Sequence, residues 1–375
     1  MNRKFSLIGE ANCEPNCAEV TPAPDIRPIG RERPHLRLVR DDDIDANPRT
    51  GNLRGGLMSA VCPQRQSRRI VVLGASGFLG GNLARYLAMM GHDVLATARR
   101  DLSGYGFPSN VSTRSVDVGD LAGLIAAFTG REMVYHFASS TNLLTNKQLD
   151  QELDATLTPA KNILAACKHT GVQQIVFPSS GCVYAFNREP RIETSAIEAS
   201  SPYAYAKLKL EELLLNEGQR CGCRAKIFRI ANAYGPKQEP RSGQGVIPYW
   251  LAALRQGHNI VLRGDGKSTR DFVFINDVCQ VLESVCQDLL QSEIYNLGTG
   301  NAVSLNELLI TLGSLTGRSI DVSHQPQHAT DFPGFALSPE KLLKEMPQFR
   351  FTPLRAGLVQ VLHASESASQ LSRAA

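Results

Sequence analysis

The sequence predicts an α/β fold, with a doubly wound parallel sheet joined to a smaller C-terminal lobe. Three observations predict it. Short apolar strands alternate with helical stretches from Arg69 onward, a glycine-rich turn separates the first strand from the first helix, and the pattern loosens into loops after about Asn232. Strands that alternate with helices at this spacing form parallel sheets with right-handed crossovers.

The elements can be placed in order along the chain. Apolar runs predict strands at 70–73, 94–98, 133–138, 174–178 and 225–230, and helical periodicity predicts helices at 82–90, 155–168 and 204–215. Two later segments, 272–275 and 294–297, return to strand-like texture. The loops between them are typical of a substrate-binding lobe that is interleaved with the sheet.

The N-terminal segment, residues 1–67, is rich in proline and scattered charge and has no sustained periodicity. Such a segment buries too little apolar area to offset its ordering entropy, so we expect it to be disordered. Because Met58 lies just before the first strand, residues 1–57 could also be an artefact of the assigned start. The remaining parts are a nucleotide-binding domain at 68–232, the lobe at 233–365 and a tail at 366–375.

Composition limits the classes of protein that fit. With 42% hydrophobic and 20% charged residues and a formal charge of +4, the chain is an ordinary globular protein, and no basic, aromatic-rich helix suggests a nucleic-acid partner. No apolar run reaches the roughly 18 residues of a membrane span. The nine cysteines lack zinc-site spacing. We expect reduced thiols, no metal, no secretory signal and a cytoplasmic location.

The turn Gly74-Ala-Ser-Gly-Phe-Leu-Gly80 follows a strand and opens a helix. Glycines at these points allow a tight turn, a close approach to a pyrophosphate and close helix–strand packing. The helix N-terminus adds free N–H groups and a positive dipole end. The turn therefore predicts a Rossmann-type dinucleotide site, with cofactor contacts from Gly74, Gly77, Phe78, Leu79 and Gly80.

The end of the second predicted strand bears on the choice between NAD and NADP. An NAD site usually has a carboxylate there for the ribose 2′-hydroxyl, whereas this chain has Ala98-Arg99-Arg100. Arginine can hold a 2′-phosphate in a bidentate manner, so the sequence favours NADP, with Arg99 as a ligand. Two alternatives stay open: both arginines could be solvated surface charges, and Asp101 could serve a ribose if the loop is shifted.

Ser180, Tyr203 and Lys207 are the predicted catalytic residues. Tyr203 and Lys207 lie one helical turn apart on one helix face, where the ammonium favours the tyrosine phenolate. Ser180 follows an apolar strand at the sheet edge where such folds bind ligands, and Lys207 could also hold the nicotinamide ribose. Tyr205 is a competitor, but it points to a different helix face from Lys207.

In these motifs the chain resembles the extended short-chain dehydrogenase/reductases, in particular the nucleotide-sugar epimerase/dehydratase family typified by UDP-glucose 4-epimerase. The resemblance covers Arg69 to about Leu362. Beyond the glycine turn it rests on motifs beginning at Val134 (Val-Tyr-His-Phe-Ala), Pro178 (Pro-Ser-Ser-Gly-Cys-Val-Tyr), Ser201 (Ser-Pro-Tyr-Ala-Tyr-Ala-Lys), Arg229 (Arg-Ile-Ala-Asn-Ala-Tyr-Gly-Pro), Gly264 (Gly-Asp-Gly-Lys-Ser-Thr-Arg-Asp-Phe-Val) and Tyr295 (Tyr-Asn-Leu-Gly-Thr-Gly).

The resemblance implies roles at matching positions. Further cofactor contacts would come from Asp117 and Val118 beside the adenine and from Phe137, Ala138 and Ser139. The nucleotide-diphosphate site would be lined by Asn232, Val246, Arg263 and Arg270. Arg270 would contact the phosphates, although an ion pair with Asp271 or Asp265 is an alternative.

Three departures from the family pattern stand out. Ala98 replaces the ribose carboxylate. Gly181-Cys182 replaces the Asp-Glu pair that drives water loss in sugar 4,6-dehydratases, so dehydration is not expected. Where many members have a second phosphate-binding arginine, His328 stands before Asp331. Because histidine is mostly neutral at pH 7, the diphosphate clamp would be weaker or the nucleotide different.

Three functions are compatible with these residues. The first hypothesis is nucleotide-sugar 4-epimerisation of a UDP-hexose, through transient hydride transfer to a bound nicotinamide. The second is an NADP-linked 4-keto-sugar reductase, and the third is a non-catalytic nucleotide-binding protein. Family members often pair through two helices, so a homodimer through 148–168 and 204–215 is possible, but the apolar stripes of these helices could equally face the chain's own core.

Overall fold

The computed structural model describes residues 66–139, 148–186, 189–240, 245–326 and 334–374. The strands are β1 (Arg69–Leu73), β2 (Asp93–Ala98), β3 (Val111–Ser115), β4 (Met133–His136), β5 (Gln174–Ser180), β6 (Arg224–Ile230), β7 (Asn232–Tyr234), β8 (Ile260–Arg263), β9 (Thr269–Phe274), β10 (Ile294–Leu297), β11 (Ala302–Ser304) and β12 (Val322–Gln325). The α-helices are α1 (Phe78–Met89), α2 (Leu121–Phe128), α3 (Leu149–Thr170), α4 (Pro202–Arg220), α5 (Val246–Gln256), α6 (Ile275–Ser284), α7 (Leu305–Thr316), α8 (Glu340–Glu345) and α9 (Leu354–Ala374).

Seven parallel strands form the central sheet in the order β10-β6-β5-β4-β1-β2-β3. The strand order reverses between β1 and β4, and ligands of such sheets bind beyond the carboxyl ends of the strands at this switch point. The predicted α/β fold with a doubly wound parallel sheet is confirmed.

Two apolar cores cover the two faces of the sheet. One packs α1 and α6 against it, includes Leu83 and Val278, and extends to Trp250 of α5, which packs on β8. The other packs α2, α3 and α4 and includes Leu124, Ile163 and Leu214. Both cores are built from residues that recur at helical spacing, as amphipathic crossover helices require. The helices α3 and α4 also pack against each other.

Two small sheets lie in the C-terminal half of the chain. One has the order β11-β9-β7 and the other pairs β12 with β8. The strand β10 joins the central sheet beside β6. The proposed division into a nucleotide-binding domain and a lobe stays a prediction.

Several element ends differ from the sequence prediction. The first helix begins at Phe78, inside the glycine turn, rather than at residue 82, because the turn itself supplies the first helical residues. Residue 275 was predicted to end a strand, but β9 ends at Phe274 and α6 starts at Ile275. The predicted tail at 366–375 starts inside α9. Of the extension predicted to be disordered, residues 1–65 lie outside the described part of the chain.

None of the helices in the described part of the chain combines the length and the apolarity that a membrane crossing requires.

Candidate functional site

A cavity of about 840 Å³ opens at the carboxyl edge of the central sheet, at the switch point between β1 and β4. The predicted cofactor residues that line it are Gly74, Gly77, Arg99, Asp117, Val118, Phe137, Ala138, Ser139 and Lys207. Phe78 and Leu79 instead pack against the core in the first turn of α1. Sequence reasoning did not name further lining residues, among them Ser76, Thr97, His136, Asp154 and Thr156.

The glycine turn is shaped for a close backbone approach. Gly74 has φ +82°, and a Cβ atom there would lie 2.6 Å from the backbone of Phe137 and Ala138. A Cβ at Gly80 would lie 2.6 Å from the Gly74 carbonyl oxygen. Gly77 caps α1 without any side-chain hydrogen bond, which leaves N–H groups of the first turn to an anion. These features fit the pyrophosphate of a dinucleotide.

At the end of β2, Arg99 and Arg100 are exposed and line the cavity. The Arg100 guanidinium lies 5.6 Å from the centre of the Tyr105 ring. Asp101, the alternative ribose ligand, accepts hydrogen bonds from the backbone and hydroxyl of Ser103, which lower the pKa of its carboxyl. The carboxylate is thus used within its own loop, while the two guanidinium groups border the cavity.

The helix α4 brings Tyr203 and Lys207 together. The Lys207 Nζ lies 5.6 Å from the centre of the Tyr203 ring and 4.6 Å from that of Phe177. The competing tyrosine, Tyr205, faces another cation, with Lys209 Nζ 5.4 Å from its ring centre. Ser180 ends β5, and its hydroxyl accepts a hydrogen bond from the Cys182 N–H at 3.3 Å.

Burial is the main cause of the pKa shifts of Lys207 and Tyr203. Desolvation lowers the pKa of Lys207 to about 8, against opposing charges from Cys182, Glu211 and Glu152. Desolvation also raises the pKa of Tyr203, and the Cys182 thiolate that would form at such high pH and the Glu152 carboxylate add to that rise. We expected the ammonium to favour a phenolate, but at neutral pH the structure favours a neutral Tyr203 beside a charged Lys207. Low dielectric penalises the charged form of both groups.

Glu152 is a charged neighbour that the sequence analysis missed. It is buried in α3, and neither carboxylate oxygen has a hydrogen-bond partner among the described residues. It lies one turn before Thr156, which lines the cavity, so both residues occupy the same face of α3. Its charge acts on both Tyr203 and Lys207. An acidic residue inside an amphipathic helical pattern resembles a surface position, and only the packing of α3 on α4 reveals the difference.

His136 ends β4 and also lines the cavity, with its ring 5.7 Å from that of Phe177. Burial, followed by the charge of Lys207, lowers the pKa of His136 to about 3, so this imidazole is neutral at physiological pH. His136 therefore adds no positive charge beside Lys207, and the Lys207 ammonium is the charged member of this pair at neutral pH.

The residues predicted to bind substrate are spread over the C-terminal half. The Asn232 amide donates to the Asp271 carbonyl at 3.1 Å, Val246 begins α5, and Arg263 ends β8. Arg270 donates to the Thr269 carbonyl at 2.7 Å. Its alternative ion-pair partners are engaged elsewhere: Asp271 accepts from Thr299, Gly300 and Leu337, and Asp265 pairs with Lys267. His328 lies outside the described residues.

Gly181, which follows Ser180, is packed tightly by the C-terminal half. A Cβ at this position would lie 2.5 Å from the ring of Phe335. A side chain at position 181 would therefore require the Phe335 ring to shift, which disfavours the first residue of an Asp-Glu pair there. Cys182 is buried, which raises the pKa of its thiol to about 11 and keeps it neutral.

A glycine-rich turn under a dinucleotide-sized cavity, with Lys207 in its wall and Tyr203 beside it, is the arrangement of a nicotinamide-dependent enzyme. The sequence profile of the NAD dependent epimerase/dehydratase family matches residues 70–298. The chain belongs to this family. It is therefore an NAD-binding enzyme of the extended short-chain dehydrogenase/reductase type, with nucleotide sugars as its substrates.

Similar proteins in this family differ in the reaction that they catalyse. The chain is 28% identical over 300 residues to a UDP-N-acetyl-α-D-glucosaminuronate decarboxylase of Bacillus cytotoxicus, covering 75% of this chain and 92% of the relative. It is 29% identical over 277 residues to a UDP-glucose 4-epimerase of Mycolicibacterium smegmatis, covering 70% and 87%. A Thermus thermophilus UDP-glucose 4-epimerase in complex with NAD superposes with a TM-score of 0.70 at 26% identity, covering 79% and 98%.

Proposed function

We propose that this enzyme is a nucleotide-sugar 4-epimerase, most simply of a UDP-hexose. The observation that carries the proposal is the position of Tyr203 beside Lys207, which lines the cavity and whose Nζ lies 5.6 Å from the centre of the Tyr203 ring. The similarity to UDP-glucose 4-epimerases supports it. The tight packing at Gly181 also argues against a dehydratase-type acid–base pair next to Ser180.

In this mechanism Tyr203 exchanges a proton with the sugar 4-hydroxyl, and Ser180 hydrogen-bonds the same oxygen. A nicotinamide held by Gly74, Gly77 and Lys207 would supply the hydride chemistry at C4 when bound. Because burial holds Tyr203 neutral, its phenolate needs positive charge nearby. Lys207 supplies that charge, and its ammonium is the form present at neutral pH.

The test is conversion of UDP-glucose to UDP-galactose by the purified full chain without added nicotinamide. Tyr203→Phe should lower the rate by about 10²- to 10⁴-fold, the usual contribution of a positioned general acid–base group. Tyr205→Phe is the matched control, since its ring faces Lys209 instead. If Tyr205→Phe is the variant that loses activity, the assignment of the base is wrong.

An NADP-linked 4-keto-sugar reductase is the second candidate, because one observation favours it. A tyrosine whose pKa is raised suits proton donation to a ketone better than proton abstraction. Stoichiometric consumption of NADPH with a 4-keto nucleotide sugar, together with no interconversion of UDP-hexoses, would establish the reductase and exclude the epimerase.

We also propose that NADP is preferred over NAD. Arg99 and Arg100 border the cavity, whereas the Asp101 carboxylate is held by Ser103. Arg99→Ala should weaken NADP binding while leaving NAD binding nearly unchanged. Equal affinity of the unmodified chain for both cofactors would contradict this preference.

We further propose an oligomeric state and a cellular location for the enzyme. The pairing of α3 with α4 presents outward faces of both helices, through which we propose that two copies form a homodimer. Sedimentation equilibrium tests it, and a monomer at micromolar concentration would contradict it.

The six cysteines in the described ranges are free thiols, which supports a reducing, cytoplasmic location.

A further inference from the structure

Arg191 is a buried cation close to the reaction centre that the mechanism does not use. Only 4% of the residue is exposed, and burial lowers the pKa of its guanidinium. Its main chain is fixed from both sides, since Arg191 N–H donates to the Ala336 carbonyl at 3.0 Å and Ser338 N–H donates to the Arg191 carbonyl at 2.8 Å. The backbone thus holds Arg191 against the segment that contains Phe335.

The side chain lies near the residue that follows Ser180. Its guanidinium carbon is 5.4 Å from the centre of the Phe335 ring, and the same ring packs against Gly181, the residue after Ser180. The guanidinium carbon is also 5.7 Å from the centre of the Phe186 ring. Two aromatic rings therefore lie against the cation, and one of them, Phe335, also packs against the residue that follows Ser180.

Within the described residues this charge has no counter-ion. Arg191 forms no ion pair there, its Nε donates to the Ala185 carbonyl at 3.2 Å, and its Nη1 has no hydrogen-bond partner. The nearby Glu193 carboxylate instead accepts from the Asn296 N–H at 2.8 Å. Arg229 shows how the same fold treats a structural arginine, because Glu211 pairs with it in a bidentate manner.

An unpaired guanidinium costs free energy when it is buried, and a flat cation between two rings keeps its edges available to a planar anion. A carboxylate matches the guanidinium fork. Phe186 is 53% exposed, and the centre of its ring lies 5.7 Å from the guanidinium carbon. In a hexose that reacts at C4, the substituent on the adjacent C5 is the group that a residue beside Ser180 can reach.

We propose that Arg191 binds a carboxylate on the sugar, so that the enzyme prefers a nucleotide-linked hexuronate to the corresponding neutral hexose. This inference rests on the proposed nucleotide-sugar function, and it specifies the substrate class of that site. Arg191 acts as a specificity determinant, with the Phe186 and Phe335 rings holding its guanidinium in place.

The experiment is calorimetric binding of UDP-glucuronate, UDP-glucose and UDP to the purified full chain. The unmodified protein should bind UDP-glucuronate at least tenfold more tightly than UDP-glucose. Arg191→Met should reduce UDP-glucuronate affinity by about 10- to 100-fold, as expected for lost hydrogen bonds to a charged group. Its affinity for UDP-glucose and UDP should stay within about twofold. Arg114→Met is the matched control, since Arg114 is exposed and also donates to a main-chain carbonyl.

Each other outcome overturns the inference. Equal loss for all three ligands in Arg191→Met means that Arg191 binds the diphosphate or supports the fold. Equal affinity of the unmodified protein for the two sugars excludes uronate recognition, and this measurement needs no variant. If the unmodified protein does not bind even UDP, the proposed nucleotide-sugar function is refuted. If it binds UDP but does not prefer UDP-glucuronate, only the role of Arg191 in carboxylate recognition is refuted.

Discussion

Replacement of Lys207 by methionine should stabilise the fold while it abolishes turnover. Methionine keeps most of the aliphatic stem and removes a charge that is buried without a carboxylate within ion-pair distance among the described residues. Burial lowers the pKa of Lys207 from 10.5 to about 8. At about 1.4 kcal/mol per pKa unit, the charged lysine lowers the free energy of unfolding by about 3 kcal/mol at pH 7.

The pH dependence gives the sharper test. Between pH 8 and 10.5 the unfolded chain holds the Lys207 proton while the folded chain has lost it, so stability rises with pH in this window. The cost of the charged lysine is therefore complete below pH 8 and is relieved towards pH 10.5. The stability advantage of Lys207→Met over the unmodified protein should shrink accordingly, from about 3 kcal/mol at pH 7 to about 1 kcal/mol at pH 10.

Urea denaturation of both proteins at pH 7 and pH 10 measures these differences. Lys209→Met is the matched control, because its ammonium is paired with Glu212 at the surface of the same helix, and it should change stability little at either pH. A Lys207→Met protein that is no more stable than the unmodified chain at pH 7, or whose advantage does not depend on pH, would refute the buried-ammonium argument.

Three further predictions concern buried charges and the glycine turn. Glu152→Gln should stabilise the fold by about 1–3 kcal/mol in urea denaturation, because an amide is cheaper to bury than a carboxylate without partners; destabilisation would contradict this. Gly74→Ala should lower the free energy of unfolding by more than about 3 kcal/mol and eliminate NAD binding measured by fluorescence, because the added Cβ would lie 2.6 Å from backbone atoms. The control is Gly91→Ala, at φ +89° in open space, which should lower the free energy of unfolding by about 1–2 kcal/mol and leave NAD binding unchanged. Glu211→Ala should cost about 3–5 kcal/mol by leaving Arg229 buried and unpaired, and the double change with Arg229→Met should recover most of that loss.

The fold could be predicted from the sequence because the crossover pattern repeats locally. Each strand–helix unit carries its own periodicity, so the strands at 70–73, 94–98 and 225–230 were placed to within a residue or two. The strand β3 was missed because only Val111 of its five residues is buried, which leaves no apolar run at this edge of the sheet. Elements of the C-terminal half were harder, since α5 and α7 pack in a lobe without a regular alternation.

Candidate site residues could be named from the sequence where their proposed chemistry depends on spacing within one stretch of chain. The glycine turn and the Tyr203–Lys207 pair each lie within one stretch of chain, and the structure brings both to one edge of the sheet. Glu152 and Arg191 could not be found in this way. Each is an ordinary charged residue in the sequence, and its meaning depends on burial by elements far away in the chain.

The buried charges of this protein fall into two groups, and the division itself points to the site. Away from the cavity, the buried charged groups have partners. Glu211 forms an ion pair with Arg229, and the Asp271 carboxylate accepts hydrogen bonds from three main-chain N–H groups. Around Ser180, Lys207 and Glu152 remain without ion-pair partners among the described residues, as does Arg191. Stability alone would not retain these charges, since apolar residues of similar size would fill the same space at lower cost. A ligand that carries hydroxyl groups and negative charge would supply the missing partners, so binding should raise the stability of this protein more than contact area alone predicts.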